Sequence, residues 1–158
     1  MKNILITGAN GFIGYNLCKT FINEDVTIFA LIRKNTNKIL ELNKYSNFHA
    51  ITCDMADYIN LPKILKNNNV DIIYHFAWEG SAGPLRGDAY KQIDNIWCSC
   101  DLINVAKELG CKKFIFASSI MEYEPHEQYV YEYSFTKEKS EKSFLNEKEK
   151  KNSNPKSN

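Results

Sequence analysis

Apolar residues fall along this chain in two rhythms. Short, near-continuous runs at 4–7, 26–32, 48–52, 72–76 and 114–117 are rich in β-branched and aromatic side chains, as strands buried on both faces are. Between them lie longer stretches with helical spacing: 12–23, a segment around 59–67, and 88–109. In the last, Ile93, Ile96, Trp97, Cys100, Ile103 and Ala106 form the predicted core face, and Gly110 stands in the stop position. Strand and helix alternating in this way predict an α/β fold, a doubly wound parallel sheet of about five strands with helices on both faces.

The pattern changes near the end. From 143 to 158 the chain is almost entirely Lys, Glu, Asn and Ser, too polar to bury the area that would offset the entropy of ordering it. A folded domain over 1–142 and a polar, disordered tail over 143–158 are therefore expected. With 158 residues, 44% of them hydrophobic, the chain can build one sizeable core. Its net charge of +1 is too weak a field for nucleic acid or an anionic membrane to be the main partner, which leaves a small molecule. Five cysteines without a CxxC pair, no signal peptide and no long apolar run point to a reducing cytoplasm. His49, His75 and His126 lack metal spacing, so no metal is expected.

The first strand runs into Gly8-Ala9-Asn10-Gly11-Phe12-Ile13-Gly14, which opens the first helix. A glycine-rich turn at that junction lets the backbone approach a pyrophosphate, whose charge meets the free N–H groups of a helix N-terminus; a tight structural turn is the alternative. The spacing is GxxGxxG. After the second strand stand Arg33 and Lys34 with no carboxylate, so these cations either pair with the 2′-phosphate of NADP or form a solvated strand end; NADP is favoured over NAD. Tyr133 and Lys137 form a YxxxK on the helix expected after the fifth strand. At i and i+4 the ammonium sits near the phenol and lowers its pKa, making it a usable general acid/base. Ser118 and Ser119 follow that strand at the end where ligands meet a parallel sheet, or serve as turn residues.

Ile6 to Gly14, together with the YxxxK and the run from Phe114 to Tyr123, resembles the opening half of the extended short-chain dehydrogenase/reductases, which include NAD(P)-dependent nucleotide-sugar epimerases and dehydratases. The resemblance implies a Rossmann-like fold, truncated relative to the family, in which Gly8, Asn10, Gly11, Phe12, Ile13 and Gly14 hold the cofactor. It also implies that Arg33, Asp54, Met55, Phe76, Ala77 and Trp78 border the cofactor, although Asp54 is equally a helix cap. Ser119, Tyr133 and Lys137 would then be catalytic, with Tyr133 and Lys137 also holding the nicotinamide ribose. Asn95 would hold the site's geometry, unless it is only a polar face residue. Within 71–87, the loop from Trp78 to Gly87 resembles a branch concerned with surface-polysaccharide sugars, where Arg86 would meet a sugar-nucleotide phosphate or lie at the surface. The resemblance leaves two functions: a nucleotide-sugar epimerase, dehydratase or reductase, either homodimeric or lacking its substrate-binding half, or a dinucleotide-binding module without turnover.

Overall fold

A computed structural model describes residues 2–66 and 68–118. Five strands, β1 (Lys2–Thr7), β2 (Val26–Ile32), β3 (Phe48–Thr52), β4 (Ile72–His75) and β5 (Lys113–Phe116), form one sheet in the order β3-β2-β1-β4-β5. Every pairing is parallel. The helices are α1 (Phe12–Phe21), α2 (Asn37–Leu42), α3 (Leu61–Ile64) and α4 (Ala89–Glu108), with 3-10 turns at Met55–Asn60 and Pro84–Gly87. This is the Rossmann-like doubly wound arrangement the pattern predicts.

Two apolar clusters show the double winding. One joins Leu5, Phe29, Leu31 and Ile73 to Tyr58, Leu61, the α4 residues Leu102, Val105 and Ala106, and Leu109 just after α4. The other joins Ile4, Ile6, Ile28, Ala30 and Ile32 to Cys18 of α1 and to Ile39 and Leu42 of α2. Alternate residues of β1 and β2 thus feed opposite clusters, as the two-residue strand period requires. The strand order reverses at β1, whose neighbours are β2 and β4. The carboxyl ends of β1 and β4 flank that switch point, where open parallel sheets receive ligands.

The chain divides into two compact units, residues 1–78 with 97–117 and residues 79–96 with 118–158. The sheet belongs to the first. The second contains, among the described residues, the loop from 79 to 88 and the start of α4.

The structure corrects the pattern in three places. Residues 59–67 are not one helix: a 3-10 turn over Met55–Asn60 passes into the four-residue α3, with Pro62 in its first turn. Between β2 and β3 the short α2 was not foreseen; six residues with only Ile39 and Leu42 buried present less than two turns of periodicity. The buried face of α4 is also rotated from the apolar stripe. Trp97 and Ile93 are 66% and 44% exposed, whereas Gln92, Asn95 and Ser99 are buried in line with Leu102, Val105 and Leu109.

Candidate functional site

The glycine turn is built by close backbone contact. Gly8 adopts a φ of +64°, and a Cβ there would stand 2.9 Å from the Ala77 nitrogen, so both the left-handed conformation and the approach of β4 require glycine. A Cβ on Gly14 would stand 2.4 Å from the Gly8 carbonyl oxygen, which is how α1 seats on the turn. Gly11 differs. Its φ is −76°, open to any residue, and a Cβ would meet only the Gly8 oxygen, at 3.1 Å. The fold makes a weak demand for glycine there, and the space it leaves lies at the mouth of α1.

That mouth suits an anion. The first bond of the α1 ladder runs from Tyr15 N–H to the Gly11 carbonyl, so the N–H groups of Phe12, Ile13 and Gly14 precede it. No side chain caps the helix and no acidic residue lies in its first turn. Phe12 and Ile13 project outward, 87% and 57% exposed. Ala9 ties the turn to the next strand by donating to the Leu31 carbonyl at 3.2 Å. Arg33 and Lys34, both exposed, follow β2 directly.

On the next strand, Asp54 accepts from Ala56 N–H at 3.1 Å and caps the 3-10 turn, while Met55 is half-buried against the core. The cap that sequence left open is therefore present on one carboxylate oxygen. Beside it, burial and the carboxylates of Asp57 and Asp54 push the Cys53 thiol up to about 11, which leaves it protonated at neutral pH.

At the end of β4, the N–H groups of Phe76 and Ala77 donate to the Thr7 hydroxyl oxygen at 3.1 and 3.0 Å. These two amides are thus engaged within the fold. The ring of Phe76 lies near Tyr74, and Trp78 meets Phe116 edge to face at 6.1 Å. His75, 1% exposed, lies between Thr7 Oγ1 at 2.7 Å from Nδ1 and Ser99 Oγ at 2.9 Å from Nε2.

In the second unit Asn95 is buried and grips the loop at both ends of its amide. Its oxygen accepts from Glu79 N–H at 2.8 Å, and its nitrogen donates to the Glu79 carbonyl at 2.8 Å and to the Lys91 carbonyl at 3.0 Å. Gln92, fully buried, donates to the Leu85 carbonyl at 3.0 Å. Lys91 pairs with Glu79 at 3.2 Å, which holds its ammonium above the usual lysine range. Arg86 is exposed in the 3-10 turn.

Residues 4–149 match the model of the NAD dependent epimerase/dehydratase family. The chain belongs to this family. Among relatives, an uncharacterized protein of Methanocaldococcus jannaschii is 29% identical over 133 residues, covering 77% of this chain and 41% of that one. Among solved structures, the UDP-Glc/GlcNAc 4-epimerase of Campylobacter jejuni superposes with a TM-score of 0.78 at 23% identity, covering 92% of this chain and 49% of that one. A UDP-glucose-4-epimerase from Stenotrophomonas maltophila, crystallised with NAD and formylated UDP-arabinopyranose, gives 0.75 at 18%, with 92% and 48% covered. At these identities the structural likeness is one of fold. The chain spans about two fifths to one half of the length of these proteins.

Of the family residues expected from sequence, the structure brings Gly8 to Gly14, Phe76, Ala77 and Trp78 together in the first unit, with Arg33, Asp54 and Met55 at the ends of the neighbouring strands. Asn95 lies in the second unit as a loop clamp. Ser119, Tyr133 and Lys137, like the tail over 143–158, lie outside the described residues. Sequence reasoning missed Thr7, Ser99 and Gln92. A signal existed for the last two: Gln92, Asn95 and Ser99 continue the line of Leu102, Val105 and Leu109 at helical spacing, which marks them for burial and hence for hydrogen-bonding work.

Proposed function

We propose that this chain is the cofactor-binding portion, with the proton-transfer residues, of an NAD(P)-dependent oxidoreductase that epimerises or dehydrates a nucleotide sugar in the cytoplasm, for surface-polysaccharide synthesis. The observation that carries this reading is the absence of a side chain at Gly11, directly before the uncapped N-terminus of α1. A diphosphate fits there because backbone N–H groups face it and no Cβ fills the gap. Bound there, a nicotinamide dinucleotide supplies a hydride acceptor and donor.

The chain's own residues would do the rest. Tyr133 would move a proton at its phenol oxygen, its pKa lowered by Lys137, while Ser119 would donate to the substrate oxygen. Asn95 would keep the loop at 79 in place through the bonds described above. Arg33 and Lys34 favour NADP over NAD by offering charge to a 2′-phosphate; the family description and the Stenotrophomonas structure name NAD, so the choice between them rests on these two side chains.

Fluorescence titration of the chain with NADPH and NADH tests the first step, and nicotinamide absorbance on adding UDP-glucose tests the second. Binding of both, with NADPH tighter, is expected. Arg33→Ala should weaken NADPH about tenfold and leave NADH nearly unchanged; tighter NADH in the unaltered chain refutes the role of Arg33. Tyr133→Phe should abolish turnover while leaving cofactor affinity nearly intact. Binding of neither cofactor overturns the proposal. Binding without turnover selects the dinucleotide-binding module.

A further inference from the structure

We propose that His75 is a positioning residue of the dinucleotide site, setting the glycine turn through Thr7 while anchored by Ser99, and that it does so as the neutral imidazole with its proton on Nε2. The inference rests on the dinucleotide reading above. Nothing in the sequence pattern marks His75 beyond its place at the end of β4.

The hydrogen bonds narrow the places the protons can take. Thr7 Oγ1 receives the N–H groups of Phe76 and Ala77, which occupy both lone pairs of the oxygen. Its own proton then points outward to an acceptor. The Tyr58 hydroxyl borders this oxygen, and His75 Nδ1 stands at 2.7 Å. With the Thr7 proton assigned to Nδ1, the ring carries its hydrogen on Nε2, which donates to Ser99 Oγ at 2.9 Å. Around the imidazole stand the rings of Tyr58, Phe114 and Phe116, with centroids 5.4 to 6.2 Å away. These rings enclose the imidazole and hold its orientation.

The link from His75 to the ligand side is mechanical. Thr7 immediately precedes Gly8, and the Ala77 nitrogen that Thr7 holds is the atom a Cβ on Gly8 would strike. The amide of Ala77 is thus a shared boundary. If it moves inward it collides with the Gly8 turn, and if it moves outward the turn loses its wall. A rotated Thr7 hydroxyl would release both amides of 76 and 77 together, and His75, pinned by Ser99 on α4, is what keeps that hydroxyl from rotating. An apolar residue at 75 would pack against the same rings but would take away the imidazole partner of the hydroxyl.

The test is the NADPH dissociation constant of the full chain, with thermal melts alongside. Thr7→Val keeps shape but releases the two amides, and should raise Kd about tenfold; His75→Leu should do the same. Thr7→Ser restores the hydroxyl, and His75→Asn places an amide oxygen near the position of Nδ1, so both should stay within about threefold of the unaltered chain. Should His75→Leu fail to fold, Ser99→Ala serves in its place, with a rise of about threefold as the ring loses its anchor. A purely architectural role would lower the melting temperature and leave the Kd of the folded chain unmoved. Unchanged affinity in Thr7→Val and Ser99→Ala, or failure of Thr7→Ser to rescue, overturns the assignment while the dinucleotide reading stands. If the unaltered chain binds neither NADPH nor NADH, both fall.

Discussion

Two turns rich in glycine stand in this chain, and they are held by different combinations of contacts. From Gly8 to Gly14 the backbone packs on backbone: the Cβ positions of Gly8 and Gly14 are already occupied, by Ala77 and by Gly8 itself. From 79 to 88 the chain is held instead by side-chain amides reaching in from α4, with Asn95 on Glu79 and Gln92 on Leu85. Gly83 and Gly87 in that loop meet no atom within 4 Å of a Cβ position. The first turn has its shape fixed by what is missing from its residues. The second takes part of its shape from residues elsewhere, while Gly80, at a φ of +71° and with a Cβ position 2.7 Å from the Leu85 carbonyl oxygen, makes the same kind of demand for glycine as Gly8.

The contrast is sharpest at Gly14. A methyl there meets backbone 2.4 Å away that has no rotamer to escape into, so Gly14→Ala should destabilise by about 3 kcal/mol or more, read by urea unfolding followed through tryptophan fluorescence. Stability within 1 kcal/mol of the unaltered chain would show that α1 can slide and would break the comparison. Next comes Asn95→Leu, which strands the N–H and carbonyl of Glu79 and should lose about 2 to 3 kcal/mol. Hydrogen exchange at the Glu79 amide should accelerate with it; an unmoved amide would mean that the loop holds itself. Smallest is Gly87→Ala. With open space and no positive φ it should stabilise by about 0.4 to 1 kcal/mol by restricting the unfolded chain, a gain visible as a raised melting temperature.

What could be read in advance follows the same division. All five strands and the glycine turn announce themselves, because continuous β-branched runs and a glycine between strand and helix are local patterns. Their ends shift by one or two residues, as at β1, which starts at Lys2. The α4 surface was misjudged for a physical reason: its core-facing line begins with Gln92, Asn95 and Ser99, and polarity reads as exposure unless a buried partner is known. Partners such as the Glu79 backbone or His75 come from other segments of the chain, which no window along the helix contains. Thr7 was hidden in the same way. As the last residue of an apolar strand it passed for a β-former, while its hydroxyl binds two amides about 70 residues away. Asp54, by contrast, caps its neighbour two residues on, and that local role was visible from the start.

The central place of β1 also has a consequence for the order in which this fold is made. The partner strand β4 lies 68 residues downstream of β1, judged at the Thr7–His75 pair. Until that loop has been synthesised, β1 can rest only on β2, with one edge of Ile4, Leu5 and Ile6 unpaired. Closing so long a loop is slow relative to local helix formation. The nascent chain therefore carries β1 with one edge open while the 68 residues that follow Thr7, up to His75, are made, an interval in which an unpaired strand edge is exposed to wrong partners.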